Sequence, residues 1–361
     1  MKFIYFPILS FNHEFWIEDK YFNGFEFHKN WLVNALYLRG YEHNWKVKNN
    51  LKLMVDSGGF QVQFKDKKID KFMIFDTQKK LGDWYFILDQ PSYLGDWMEG
   101  VRATNKNIEE ALDFGLEKNK LILILHGEGF EKTKSWWDVI GSWDIDKVAI
   151  ANKLSGSIRV SVGLNYAIFL IWLLENDDRK FDIIHLLGFS AIKSLPLFFY
   201  ILKDYEDRVN YLTFDSKQST ALAYTMSYLY KNKRLDLRGG RERDGLVQFD
   251  LNKNLPCDCE ACRFANELGW QKIRDNYTTQ FYSLLTIHNI LQLNSYCEQL
   301  MKMSKEELRI LMKNEVGVKD KTIMSFLDKY DNFISNGRKE SFFESCKKLV
   351  GMEDEKRRLV L

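Results

Sequence analysis

The chain has 361 residues, 45% hydrophobic and 28% charged, which suits one large domain with an appendage and excludes a disordered chain. A net charge of +2 excludes a global basic field, so any nucleic-acid contact must come from a local patch. The most apolar run, Tyr166 to Leu174, is too short to cross a bilayer; with the cysteine usage and no recognisable signal peptide, it leads us to expect a reducing, cytoplasmic setting and no membrane.

In chain order, short apolar runs rich in β-formers alternate with helical patterns. The expected strands are Phe3–Leu9, Leu51–Val55, Trp84–Leu88, Leu121–Leu125, Ile158–Val162, Ile183–Leu187 and Tyr211–Phe214, with Leu246–Phe249 as an eighth candidate. Their apolar residues are continuous rather than alternating, which suits a parallel sheet buried on both faces. Stretches such as Asn107–Lys118 and Tyr166–Glu175 are long enough for crossover helices. The pattern predicts an α/β fold, a (β/α)8 TIM barrel, over residues 1–294. A doubly wound open sheet is the alternative, but no glycine-rich phosphate loop follows the first strand.

Several of these strands run into polar residues. They are Asp56-Ser57-Gly58-Gly59-Phe60 after the second, Asp89 after the third, and His126-Gly127 after the fourth. Gly163-Leu164 follows the fifth, Gly188 the sixth and Asp215-Ser216 the seventh. In a barrel these positions share the C-terminal rim, where such folds place their sites. An aspartate after a strand is commonly a helix N-cap, but three at one rim, beside glycines that admit a flat ligand, point to a site.

Further on, Cys257-Asp258-Cys259-Glu260-Ala261-Cys262 places three thiols at C-x-C-x-x-C spacing, too tight for a good disulfide loop. His288, on the helical stretch Trp270–Asn294, supplies a fourth ligand for a tetrahedral Zn²⁺ site in a subdomain of about residues 250–294. Four protein ligands leave no open position, so the metal is expected to be structural. Residues 295–361 read as a small helical C-terminal appendage, opened by the capping box Ser304-x-x-Glu307.

The segments Val55-Asp56-Ser57-Gly58-Gly59-Phe60-Gln61-Val62 and Phe214-Asp215-Ser216, with Cys257, Cys259, Cys262 and His288 in that order, resemble the tRNA-guanine transglycosylase superfamily over roughly residues 50–295. The resemblance implies a zinc-stapled barrel that exchanges guanine in a nucleic acid for a 7-deazaguanine base. It implies Asp215 as the nucleophile at C1′, and Asp56 as the acid/base serving the departing and incoming bases. Asp89 falls where the family reads the base edge. Ser57, Gly58, Gly59, Gly163, Leu164 and Gly188 fall at the base pocket, and Phe60 against the base plane. Exchange with retention needs two displacements, hence a covalent carboxylate ester and a second carboxyl with a different proton affinity.

The departures are informative. His126 stands in Leu125-His126-Gly127-Glu128, where the family has Val-Gln-Gly-Gly; it either donates to a base carbonyl or is a loop histidine without a ligand. Lys217-Gln218-Ser219-Thr220-Ala221 replaces the family's anticodon-gripping run, and the first fifty residues do not match the tRNA enzymes. The chain is therefore most similar to the phage and bacterial 7-deazaguanine DNA transglycosylases, with tRNA as the alternative substrate. Lys65–Lys71 and Arg234–Arg243 are candidate backbone contacts, Arg238 and Arg241 foremost, although a solvated loop is the commoner role of such runs. A homodimer and a helicase-like partner that opens the duplex are compatible with this reading. A non-catalytic partner subunit is a further alternative, weakened by the presence of both Asp56 and Asp215. A metallohydrolase is weakened by the closed ligand set.

Overall fold

The computed structural model describes residues 1–9, 24–26, 28–37, 42–58, 70–90, 96–127, 129–152, 161–189, 191–230, 233–237, 247–248, 251, 253–276, 278–315 and 321–349. Eight strands form one sheet: β1 (Lys2–Pro7), β2 (Asn30–Asn34), β3 (Lys52–Asp56), β4 (Trp84–Phe86), β5 (Leu121–Gly127), β6 (Lys147–Asn152), β7 (Phe181–Leu186) and β8 (Val209–Ser216). Their order is β1-β8-β7-β6-β5-β4-β3-β2, and every pairing is parallel. The two edges meet where Ile8 bridges Leu32 and the Leu9 amide donates to the Leu32 carbonyl at 2.8 Å, so the sheet curls into a nearly closed barrel. Leu121 to Leu125 are buried along their whole length, because one strand face packs into the barrel and the other under the helices.

The helices that cover the strands are α1 (Glu42–Asn49), α2 (Lys71–Leu81), α3 (Trp97–Asp113), α4 (Phe130–Ile140), α5 (Ser161–Asn176) and α6 (Leu195–Leu202). Asp70 and Asp96 cap α2 and α3, their carboxylates accepting from the Phe72 and Met98 amides at 2.9 Å. After β8 come α7 (Gln218–Tyr224) and a three-stranded sheet of β9 (Ser227–Tyr230), β10 (Lys233–Asp236) and β11 (Val247–Gln248). Then follow α8 (Glu260–Leu268), α9 (Trp270–Asn276) and the 25-residue α10 (Thr278–Lys302). Helix α10 packs on β1, α7 and β9, taking the barrel's eighth helix position. This is the (β/α)8 barrel with an inserted metal-ligand subdomain.

The chain ends in α11 (Lys305–Glu315), α12 (Lys321–Asn336) and α13 (Lys339–Leu349). The capping box forms, with Ser304 N donating to Glu307 Oε2 at 2.7 Å and Glu307 N to Ser304 Oγ at 3.2 Å. These helices are tied to the barrel by polar contacts: Tyr200 on α6 donates to Asp331, which Arg309 also grips, while Asp204 accepts from Lys305 and Tyr330. Phe343 packs edge-on against Phe130 of α4. Among the described residues no helix is long and apolar enough to cross a membrane.

Two expectations need correction, and one strand was not expected. The expected strand Ile158–Val162 is not the strand that pairs between β5 and β7. Its place is taken by β6, whose alanines make Val148-Ala149-Ile150-Ala151 a poor hydrophobic signal although Val148, Ala149 and Ile150 are fully buried. Residues 158–160 lie outside the described residues, and 161–162 open α5. Within Leu246–Phe249 the described residues, Val247–Gln248, form β11 of the small sheet, not a barrel strand. The eighth barrel strand is β2, a three-residue apolar core (Trp31, Leu32, Val33) between two asparagines.

Gln78 on α2 shows how helices fix strand ends. Buried at 1% exposure, it donates from Nε2 to the Phe86 carbonyl at 2.8 Å and more loosely to that of Val55 at 3.4 Å, just ahead of Asp56 and Asp89. Gln78→Leu should remove both side-chain bonds and cost about 1–3 kcal/mol of stability, read as a lower urea midpoint at unchanged m.

Candidate active site and metal centre

Strand β3 ends in Asp56, in register with Asn34 of β2. Asn34 Oδ1 accepts from the Leu36 amide at 3.0 Å, which turns its Nδ2 toward Asp56 Oδ2 at 2.6 Å. The Gly58 amide reaches Asp56 Oδ1 at 3.3 Å from a backbone with φ +77°, where a β-carbon would also lie 2.4 Å from Leu36 Cδ1. Burial is the main reason that the Asp56 carboxyl is raised from 3.8 to about 7; the Gly58 and Asn34 donors oppose it, and the charges of Asp89 and Asp215 add to it. Asp56 on β3 thus feels the carboxylates of β8 and of the segment after β4 at one mouth.

Asp215, the second-last residue of β8, is buried. Its Oδ1 accepts from the Gly188 amide at 2.5 Å and lies 3.0 Å from His185 Nε2. Gly188 is held at φ +66°, which suits glycine in the turn that aims this amide. His185 Nδ1 is 2.8 Å from Thr213 Oγ1, its cross-strand partner on β8. Asp89 Oδ2 lies 2.8 Å from His126 Nε2, and the His126 ring meets the edge of Trp136, whose indole N–H is fixed on the Ile124 carbonyl. Ser57 is fully buried beside Asp56, and its hydroxyl has no hydrogen-bond partner among the described residues. An orphan hydroxyl at such a mouth is a donor and acceptor ready for a ligand.

The structure therefore assembles Asp56, Ser57, Gly58, Asp89, His126, Gly188 and Asp215 at the C-terminal ends of the strands. Gly163 and Leu164 are not at a strand end. They sit in the first turn of α5, buried, with the Gly163 Cα so close to Ser194 that a β-carbon would lie 2.4 Å from its side chain. Gly59, Phe60, Arg238 and Arg241 lie outside the described residues. Sequence reasoning missed Asn34, His185 and Thr213. The available signal was a lone polar residue within an apolar strand, His185 in Ile183-Ile184-His185-Leu186.

Cys257, Cys259, Cys262 and His288 bring their ligand atoms within 4.8 Å of one another and could hold a metal ion. His288 Nδ1 faces the sulfurs, at 3.2 Å from Cys262 and 3.4 Å from Cys259, while Nε2 lies 2.6 Å from the Leu229 carbonyl. A carbonyl only accepts, so Nε2 carries the proton and Nδ1 offers its lone pair to an ion. The ring stacks on Tyr228 at 3.7 Å, which fixes its plane. Contacts with Cys259 and Cys262 pull the Cys257 thiol far below its usual range, while contact with Cys257 pushes Cys259 up to about 11 and Cys262 higher still. Three sulfurs sharing one charge in this way are satisfied together by a cation.

No protein-family model matches the chain, and no curated protein matches it in sequence.

The raised proton affinity of Asp56 has a sign. Between about pH 4 and 7 the folded carboxyl keeps its proton while the unfolded one has lost it, so Asp56 makes the fold less stable as pH rises through that window. Full linkage would amount to on the order of 4 kcal/mol. Asp56 is only partly closed off at the mouth, and water there holds the effect to a fraction of that. In urea titrations, the stability of Asp56→Asn relative to wild type should rise from pH 4 to pH 7. A flat difference would mean an ordinary carboxylate.

Proposed function

We propose that this chain is a base-exchange transglycosylase that replaces guanine in a nucleic acid, DNA in preference to tRNA, with a 7-deazaguanine base such as the 7-cyano compound (preQ0). The observation that carries this reading is the pairing of two carboxylates with different environments at one barrel mouth. Asp56 titrates near neutrality; Asp215 receives two donors on one oxygen. The resemblance in the segments around them supports the same assignment.

In the first step an Asp215 oxygen attacks C1′, the C1′–base bond breaks, and the departing guanine takes the proton of Asp56. In the second, the incoming base gives its proton to Asp56 and attacks C1′, and the ester bond breaks to restore the Asp215 carboxylate. The net reaction moves no proton to solvent, which is why an acid/base poised near 7 suits it. Asp89, with His126 on Oδ2, and the Ser57 hydroxyl would hold the hydrogen-bonding edge of the base. A guanine within a duplex must first leave its stack, at a cost of a few kcal/mol.

The metal in this reading is Zn²⁺, the ion that three thiolates and one imidazole suit, held by Cys257, Cys259, Cys262 and His288. It would cross-link the loop before α8 to α10 and take no part in the reaction. Chelation, or Cys259→Ser, should release one zinc per chain and lower the melting temperature by several degrees. An unchanged melting curve after metal removal would eliminate the structural role.

The function itself is tested by incubating the purified protein with labelled 7-cyano-7-deazaguanine and, in parallel, tRNA, single-stranded DNA and duplex DNA. Label is expected in DNA, and Asp215→Ala should abolish both incorporation and any covalent protein–DNA adduct. Incorporation into single strands alone would indicate a strand-opening partner. Incorporation into tRNA alone would replace the DNA preference, and none in any substrate would remove the enzymatic reading.

A further inference from the structure

We infer that His185 is the positioning residue of the Asp215 nucleophile: its Nε2–H and the Gly188 amide hold Oδ1, the Thr213 hydroxyl occupies Nδ1, and Oδ2 is left as the attacking oxygen. This inference rests on the transglycosylase reading. Its basis is a chain of hydrogen bonds whose directions follow from donor and acceptor chemistry. An ionised carboxylate can only accept, so the 3.0 Å contact requires the hydrogen on Nε2. In the neutral ring Nδ1, 2.8 Å from Thr213 Oγ1, then accepts a hydrogen bond from the hydroxyl. All three residues are buried, His185 completely. The Phe86 ring of β4 packs against the imidazole at 5.1 Å, placing it within the barrel rather than under the helices. Among the described residues Asp215 Oδ2 has no hydrogen-bond partner.

The arrangement fits the covalent step. When Oδ2 bonds to C1′, Oδ1 becomes the ester carbonyl, an acceptor that keeps both donors through the whole cycle. The carboxylate plane therefore need not rotate between attack and release. Thr213 acts one bond further out. With its hydroxyl on Nδ1, the ring presents a single N–H to Asp215 and its tilt is set by the β7–β8 register.

Two measurements on the full-length protein test this. In protein labelled with ¹⁵N-histidine, the His185 resonances should report hydrogen on Nε2 and should move in Asp215→Asn and in Thr213→Val. Hydrogen on Nδ1 alone, or resonances indifferent to both substitutions, would overturn the arrangement. In the exchange assay, His185→Phe keeps the ring volume but donates nothing, and kcat should fall about 100-fold with KM unchanged, the scale of a misplaced reacting group. His185→Gln can donate from its amide N–H to Asp215 and accept from Thr213, and should recover at least tenfold of that loss. Equal losses in both variants at equal melting temperature, or wild-type kcat in His185→Phe, would overturn the role. A wild-type protein that exchanges no base would remove the transglycosylase reading and the catalytic role with it, while the nitrogen spectrum would still decide the hydrogen bonds.

Discussion

The rest of the structure depends on two adjacent residues of α10. His288 turns to the three cysteines, and Asn289 turns to the barrel. The Asn289 amide accepts from the Leu229 N–H at 2.9 Å and donates to the Ser227 and Ser219 carbonyls at 3.1 and 3.2 Å. Ser219, on α7, meets the Tyr5 hydroxyl at 3.1 Å, and that hydroxyl also bonds the Ser216 carbonyl, one residue past Asp215. Every polar group in this buried path has its partner, so the path has few alternative arrangements. The metal-ligand cluster and the end of β8 are therefore parts of one rigid unit. A metal ion bound at His288 would thereby steady the end of β8.

The mouth of the barrel concentrates negative charge where a stable protein would avoid it. The chain's other strand-to-helix aspartates show the contrast. Asp70 and Asp96 are exposed, and each accepts a backbone N–H at a helix start. Asp56 accepts the Gly58 amide only loosely, at 3.3 Å, and Asp215 accepts from the Gly188 amide beyond the end of β7 rather than from a helix start. Burial and two neighbouring carboxylates act on Asp56, whereas Asp215 has a histidine and an amide on one oxygen. Two carboxyls held in environments this different can divide an acid/base role from a nucleophilic one.

The barrel was legible wherever its strands were continuous apolar runs, as in β5, β7 and β8. It was not legible where packing, rather than hydrophobicity, selected the residues. Strand β6 uses alanine where two neighbouring strands and a helix crowd it, and β2 needs only three apolar residues before Asn34, which is held by Asp56 and the Leu36 amide. Gly100 and Thr104 hid the first half of α3, since both weaken a helical pattern, yet both are buried against the barrel. The three site aspartates and the metal ligands were legible because their residue types are costly without partners. His185 was not, because one polar residue in an apolar strand does not say which neighbour it serves until the register pairs it with Thr213 and the turn brings Gly188 back.

That dependence on register also bears on what the mouth would bind. Asp89 commits one oxygen to His126, and His126 is set by Trp136, itself anchored to the β5 backbone. The orientation of the Asp89 carboxylate is therefore fixed from beneath before any ligand arrives. A carboxylate with one oxygen committed in this way has the other left to accept from N–H groups, and it repels oxygens. Ser57, able to donate or accept, adds no bias of its own. On the transglycosylase reading this favours the amide–amine edge of a guanine-like base over the carbonyl-rich edge of a pyrimidine. It also makes the choice of base a property of β4 and β5, separate from the β3 and β8 carboxylates that would make and break the bond to it.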